Sequence, residues 1–265
     1  MSVRKAVVAG QFYPGNADEI EKMVTFFNEV LEEGVADSSV LQTATRAVIV
    51  PHAGYVYSGF TANAAYRLLA NAKPERIVVI GPSHRHYFQG SSVALYDEFE
   101  TPLGPLSMDR AFAKELMERF DLNFVPRAHA EHSTEVQMPF LARYLPDSRV
   151  VELVYAEESP HKLARVIEWV LQQKNGGVVI STDLSHYHDL QEAKRLDGVC
   201  LEAVRKLDAA MLEKGCEACG KIGMAAMLEA AGRLGLKALP IDYRTSADAS
   251  GDTERVVGYM SAAFV

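Results

Sequence analysis

Ala47-Val-Ile-Val-Pro-His-Ala-Gly-Tyr-Val-Tyr-Ser-Gly59 is the stretch from which the rest of the chain can be read. Its first four residues are apolar and three of them are β-branched, the composition of a strand buried on both faces. Pro51 cannot donate to a ladder and closes the strand, so His52 stands at its carboxyl end. In open α/β sheets that rim is where ligands bind. Two further segments repeat the pattern. Ile77-Val-Val-Ile80 runs into Gly81-Pro-Ser-His84, and Val178-Val-Ile180 runs into Ser181-Thr-Asp-Leu-Ser-His186. Three strand ends that each deliver a histidine predict one shared site.

Outward from these strands, helical and extended patterns alternate. Ser58 caps a small-residue helix to Leu69, so strand, helix and strand 76–80 read as a parallel βαβ unit. Upstream, Asn16 and Glu19 form a capping box for a helix to about Glu33 that buries Ile20, Val24, Phe27 and Leu31. Residues 35–46 read as a polar loop. Downstream, 91–96 and 104–108 read as short strands of an antiparallel insertion, and Leu122–Val125 as another strand. One helix is expected from Ser133 to Tyr144, a strand over 149–155, helices over 159–173 and 190–207, two shorter helices to 233, and two last strands over 236–243 and 255–264. With no repeat and no break in composition, the expectation is a single three-layer α/β/α domain over 1–265, its central sheet largely parallel or mixed.

The net charge of −8 and the lack of a basic run argue against a nucleic-acid partner. No apolar stretch approaches the ~20 residues that span a bilayer, and Met1-Ser-Val-Arg-Lys5 leads into no signal core, so a cytoplasmic protein without a membrane partner is expected. Cys200, Cys216 and Cys219 are too few, and odd in number, for a disulfide framework. Cys216-Glu-Ala-Cys219 can be a redox pair or half a zinc site; the simpler reading is a pair of reduced cysteines at a helix start.

Imidazole is a common ligand for Fe, Cu, Zn and Ni, and two histidines with one carboxylate suit non-haem Fe(II). His52 and His84 are the expected histidine pair. Asp183 either orients a histidine or caps the turn after its strand. His132 and Glu135 either share a helix face or form a capping box. His161 is expected at the surface, and His86 and His188 either support a neighbouring histidine or face solvent. No nucleophile elbow, Walker loop or Rossmann fingerprint is present.

Ala9-Gly-Gln-Phe-Tyr-Pro14, Pro51-His-Ala-Gly-Tyr55, Gly81-Pro-Ser-His84, Glu131-His-Ser-Thr-Glu135, Ser181-Thr-Asp-Leu-Ser-His186 and the tail from Tyr243 follow one another in an order that resembles the Memo family, also called AmmeMemoRadiSam system protein B. The resemblance implies a fold like that of class III extradiol dioxygenases, which cleave catechol-type rings with O₂ at an Fe(II) held by two histidines and a glutamate. It implies that His52 and His84 are metal ligands and His186 an acid/base. Animal Memo proteins carry a cysteine in the loop after the tyrosine matching Tyr243. Here that loop, Tyr243-Arg-Thr-Ser-Ala-Asp-Ala249, has none, and Asp248 is its nearest ligating side chain. His186, His132 and Asp183 are thus the expected catalytic or pocket groups, and His52, His84 and Asp248 the expected ligands. The expected cofactor is a divalent metal, Fe(II) before Cu or Zn. The expected activity is O₂-dependent oxidation of an unidentified small molecule. The alternatives are a binding protein, for a small molecule or peptide, that keeps the pocket, and a zinc hydrolase. The family name further implies an AMMECR-type protein and a radical SAM enzyme as partners.

Overall fold

A computed structural model describes residues 1–34 and 38–265. Of the expected 35–46 loop, 35–37 lie outside the described residues, and Ser38–Gln42 forms a 3₁₀ turn. The chain begins with β1 (Val3–Arg4) and α1 (Ala17–Gly34), whose Ile20, Val24, Phe27 and Leu31 are buried as their helical spacing requires. The Asn16 side chain accepts from Glu19 N at 3.0 Å, capping that helix. There follow β2 (Ala47–Val50), α2 (Tyr55–Ala72), β3 (Arg76–Pro82), β4 (Ser91–Val93), β5 (Glu98–Phe99), β6 (Leu106–Ser107) and α3 (Arg110–Phe120). Next come α4 (His132–Glu135), α5 (Met138–Tyr144), β7 (Arg149–Tyr155), α6 (Pro160–Gln172), β8 (Gly176–Ser181) and β9 (His186–His188). The last elements are α7 (Leu190–Lys206), α8 (Lys221–Leu234), β10 (Ala238–Thr245), α9 (Ala247–Ser250) and β11 (Val256–Phe264).

The main sheet runs β10-β11-β2-β8-β3-β7-β4, with β9 also paired to β11. Its centre, β2, β8, β3 and β7, is parallel; β4, β9, β10 and β11 are antiparallel to their neighbours. Successive strand residues face opposite sides. Ile49, Ile80, Leu153 and Ile180 pack with residues of α3, α6, α7 and α8, whereas Val48, Val79, Val150 and Val179 pack with residues of α1, α2 and α5. These two clusters are the two cores of a three-layer α/β/α arrangement on a mixed sheet. Among the described residues, no helix is long and apolar enough to cross a membrane.

Several local readings change; the helix expected to be capped by Ser58 begins at Tyr55, with Ser58 inside it. First, β2 and β3 are not neighbours: β8 lies between them, with Ile180 in register with both Ile49 and Ile80. The Gly176-Gly177 pair allows this insertion. A Cβ at 177 would stand 3.0 Å from Pro74 and 3.3 Å from the Arg46 carbonyl, the segments leading into β3 and β2. Second, the helix expected from Ser133 to Tyr144 is broken into α4 and α5, because Pro139 has no N–H for the Glu135 carbonyl. Third, the 91–108 insertion divides: β4 joins the main sheet at β7, while β5 and β6 form a separate sheet with β1. Leu122–Val125 makes only a bridge from Asn123 to Ser92. Fourth, the cysteines are not all reduced. Cys200 on the buried face of α7 is bonded to Cys216, and Cys219 is free.

Candidate metal centre

His52 is fixed from three sides. Its backbone N–H donates to Asp183 Oδ1 at 2.7 Å, and the preceding Pro51 carbonyl accepts from Gln137 Nε2 at 2.8 Å. Its Nδ1 lies 2.9 Å from Ser181 Oγ, at the end of β8. Ser181 has one hydroxyl hydrogen, which it donates to the Ser133 carbonyl at 2.5 Å. Its oxygen can therefore only accept from the imidazole, so Nδ1 carries the proton and Nε2 presents a lone pair.

His84 and His132 are set by a single carboxylate. Glu131, fully buried, places Oε1 3.1 Å from His84 Nδ1 and 2.9 Å from His132 Nδ1. Its Oε2 accepts from the backbone N–H groups of His84 at 2.7 Å and Arg85 at 3.2 Å. Burial would raise the Glu131 pKa, but the hydrogen bonds from His132 and His84 outweigh it and hold the group well below the usual carboxylate range. An ionised carboxylate only accepts, so both Nδ1 atoms donate, which leaves Nε2 of each ring as its ligating atom. The two segments meet because Gly81 leaves room: a Cβ there would stand 2.6 Å from Ser133 Oγ, which donates to the Pro82 carbonyl.

The ring centroids of His52, His84 and His132 are 5.2, 5.4 and 4.6 Å apart, and one ligating atom of each lies within 4.8 Å of the others. The His52 pKa lies well below 6.5, lowered by burial first and then by His84 and His132. Three imidazoles, each locked through Nδ1 by a protein acceptor, suit a divalent cation. The group can hold a metal ion.

The structure places the other candidates as follows. His132, expected as a pocket group, stands within the triad. Asp248, expected as the third ligand, is exposed on α9, and its Oδ2 accepts from Thr245 N and Oγ1 at 2.7 and 3.1 Å; it is not in the group. The backbone explains the difference, since α9 turns the carboxylate back to cap its own loop. Asp183 accepts from His52 N and Ala53 N, serving the turn rather than the His186 ring. His186 is half-buried on β9, paired to Val257, and its ring contacts Tyr187. Glu135 faces away, accepting from Arg4, Val7 N, Val8 N and Tyr13 Oη, so it anchors the N-terminal segment. His161 is exposed against Glu229, and His188 pairs with Glu217.

The sequence reading gave three groups no role in this site, although it named Cys219 as half of a possible zinc or redox pair. Glu131 had a local signal, a carboxylate directly before a histidine. Ser181 had its position at the end of an expected strand. Cys219, distant in sequence, lies with its Sγ 3.4 Å from His52 Nε2. Burial, reinforced by the charge of Asp183, pushes its thiol up to about 12. Beside the triad opens a cleft of about 520 Å³ lined by Ser83, His84, Arg85, Tyr87, Tyr155 and Cys219 among others.

Sequence comparison matches residues 4–263 to the Memo-like protein family. A MEMO1 family protein of Nitrosopumilus maritimus is 31% identical, the alignment covering 99% of this chain and all of the relative. Those of Aquifex aeolicus and Sulfurisphaera tokodaii are 32% and 34% identical, with at least 99% of both chains aligned. Matched along nearly its whole length to the family and end to end to these relatives, the chain belongs to the Memo-like protein family.

Proposed function

We propose that the chain is a metal-dependent oxidoreductase that uses O₂ on a small molecule bound in the cleft beside His84. The observation that carries this reading is the common orientation of His52, His84 and His132, each with Nδ1 held by a protein oxygen, which leaves Nε2 as the ligating atom. His132 takes the position for which Asp248 was expected. Fe(II), when bound, would supply electrons and a place for O₂ and substrate to meet. The protein supplies the rest. Glu131 holds two of the ligands, Ser181 holds the third, and the cleft admits substrate from the His84 side. His186, outside the triad, is the group for giving and taking a proton.

The test is anaerobic purification with metal analysis, then O₂ uptake by the Fe(II)-loaded protein against a panel of catechols. About one bound metal per chain with substrate-dependent uptake is the expected result. Metal loading without uptake leaves the binding-protein alternative; failure to load overturns the reading. A second reading, hydrolysis, has one observation in its favour: three imidazoles are also a ligand set of catalytic zinc. Ester or amide turnover with Zn(II) and none with Fe(II) and O₂ would select it. The partner reading, an AMMECR-type protein and a radical SAM enzyme, is tested by co-purification.

A further inference from the structure

We propose that Arg4 is a positioning residue of the candidate metal centre: its guanidinium grips both ends of α4, the short helix that carries His132, and so sets where that imidazole points. The proposal rests on the reading of His52, His84 and His132 as ligands. Three observations carry it.

The first is the size of α4. It has four residues, whereas helices shorter than ~12–15 residues are marginal on their own. Its tilt is therefore set from outside. Arg4, 4% exposed, does this with one planar group. Nη2 donates to the carbonyl of Glu131, the residue that caps α4, at 3.1 Å. Nη1 donates to the carboxylate of Glu135, the last residue of α4, at 2.7 Å. A guanidinium holds its N–H groups in a fixed fork, so these two bonds fix the span of the helix as well as its place. Glu131 is also the carboxylate that holds His84 and His132. Arg4 thus reaches two of the three imidazoles through one residue.

The second is charge. Glu131, Glu135 and Glu152 are fully buried around this helix. Among the described residues, Arg4 is the one lysine or arginine paired with them, at 2.7 Å from Glu135 and 3.9 Å from Glu152. Carboxylates buried this deep keep their charge only when it is paired. The third is reach. Glu135, held by Arg4, accepts from Val7 N, Val8 N and Tyr13 Oη at 2.7, 2.8 and 2.9 Å. That fixes the segment whose Phe12 carbonyl accepts from Tyr55 N at 2.7 Å, close beyond His52. Displacing Arg4 therefore disturbs the His52 side of the triad as well as the His132 side. Tying the N-terminal segment to Glu135 needs only that carboxylate; the second bond, to the Glu131 carbonyl, serves the ligand-bearing helix.

Co(II) is the probe, added to the apo-protein under anaerobic conditions. Competition with a chromogenic chelator gives its affinity, and the visible d–d bands report how the imidazoles are arranged around it. Arg4→Lys keeps the charge but lacks the fork. It is expected to stay folded by circular dichroism, to show shifted d–d bands, and to bind Co(II) about tenfold more weakly, the low end of what loss of a supporting group costs. The double variant Arg4→Met with Glu135→Gln removes both charges together, so that neither is left buried alone, and decides the matter should Arg4→Lys not fold. The same loss and band shift are expected of it. Asp97→Asn, which loosens the same N-terminal segment at Ser2, is expected to keep the wild-type affinity and bands. Wild-type affinity and bands in either Arg4 variant that folds overturn the positioning role and leave the imidazole site standing. An equal loss in Asp97→Asn, with unshifted bands throughout, assigns the effect to stability and overturns the role as well. No Co(II) binding by the folded wild type overturns both this role and the ligand reading beneath it.

Discussion

Glu131 is one carboxylate on which two of the three clustered histidines depend. Glu131→Gln keeps the shape but removes the charge and puts an amide where two N–H groups need an acceptor. Loss of such a supporting group typically costs about 10- to 100-fold in metal affinity. That is the effect expected in a chelator-competition titration, with the fold retained. His132→Ala should abolish metal binding as completely as His52→Ala, while Asp248→Ala should leave it unchanged; the reverse result would restore Asp248 as a ligand. His186→Ala should keep the metal and lose turnover by roughly 10²–10⁴-fold if proton transfer limits the rate. The pair at strand ends, His52 and His84, is legible from short apolar runs followed by Pro and His. His132 was seen but not placed with them. Its position depends on α4 lying against the end of β3, and that contact is granted by the missing Cβ of Gly81, 51 residues from His132 in sequence. Asp248 stands outside the histidine group, because spacing along a loop does not reveal whether a carboxylate points out or caps its own turn.

At the scale of elements, most strands and helices were legible because their apolar periods are clean. What was not legible is which strands adjoin. Only the close approach around Gly177 reveals that β8 enters between β2 and β3. The pairing of Cys200 with Cys216 was equally hidden, since it depends on α7 packing against the chain before α8. This bond closes a loop of 16 residues. In the chain-entropy view, such a crosslink is worth about 3 kcal/mol. Cys200→Ser or Cys216→Ser should therefore lower the denaturant midpoint of the oxidised protein, and added reductant should lower the wild type to meet them. The small sheet offers a pH test. Asp97 accepts from Ser2 N and Oγ at 2.6 and 3.0 Å and pairs with Arg110, tying the chain start to β5. The Ser2 N–H first, then the Ser2 hydroxyl and Arg110, lower its pKa from 3.8 to about 2. Being depressed in the folded state, it contributes stability that is present above 3.8 and lost as pH falls toward about 2. The Tm deficit of Asp97→Asn should shrink over that interval; the group is only half-buried, so the deficit is small throughout.

Viewed as a whole molecule, the centre is assembled from parts spread across most of the chain: His52, His84, His132 and Ser181, with Cys219 beside them. The four central strands are parallel, and none of the interior pairings joins consecutive strands of the sheet. Parallel pairings of this kind carry long loops that must close before any contact rewards them, which slows folding. The strand order also sets a timetable for synthesis. A ribosome that has released His52, His84 and His132 has not yet made β8, and β2 and β3 have no pairing with each other to hold their ends together. The nascent polypeptide therefore carries three histidines and no aligned site until about two-thirds of it has been translated. On the proposed reading, metal acquisition is consequently a late event in the life of each copy, after the last central strand has slotted in. A stalled or truncated product ending before residue 176 should bind metal no better than an unfolded peptide of the same composition.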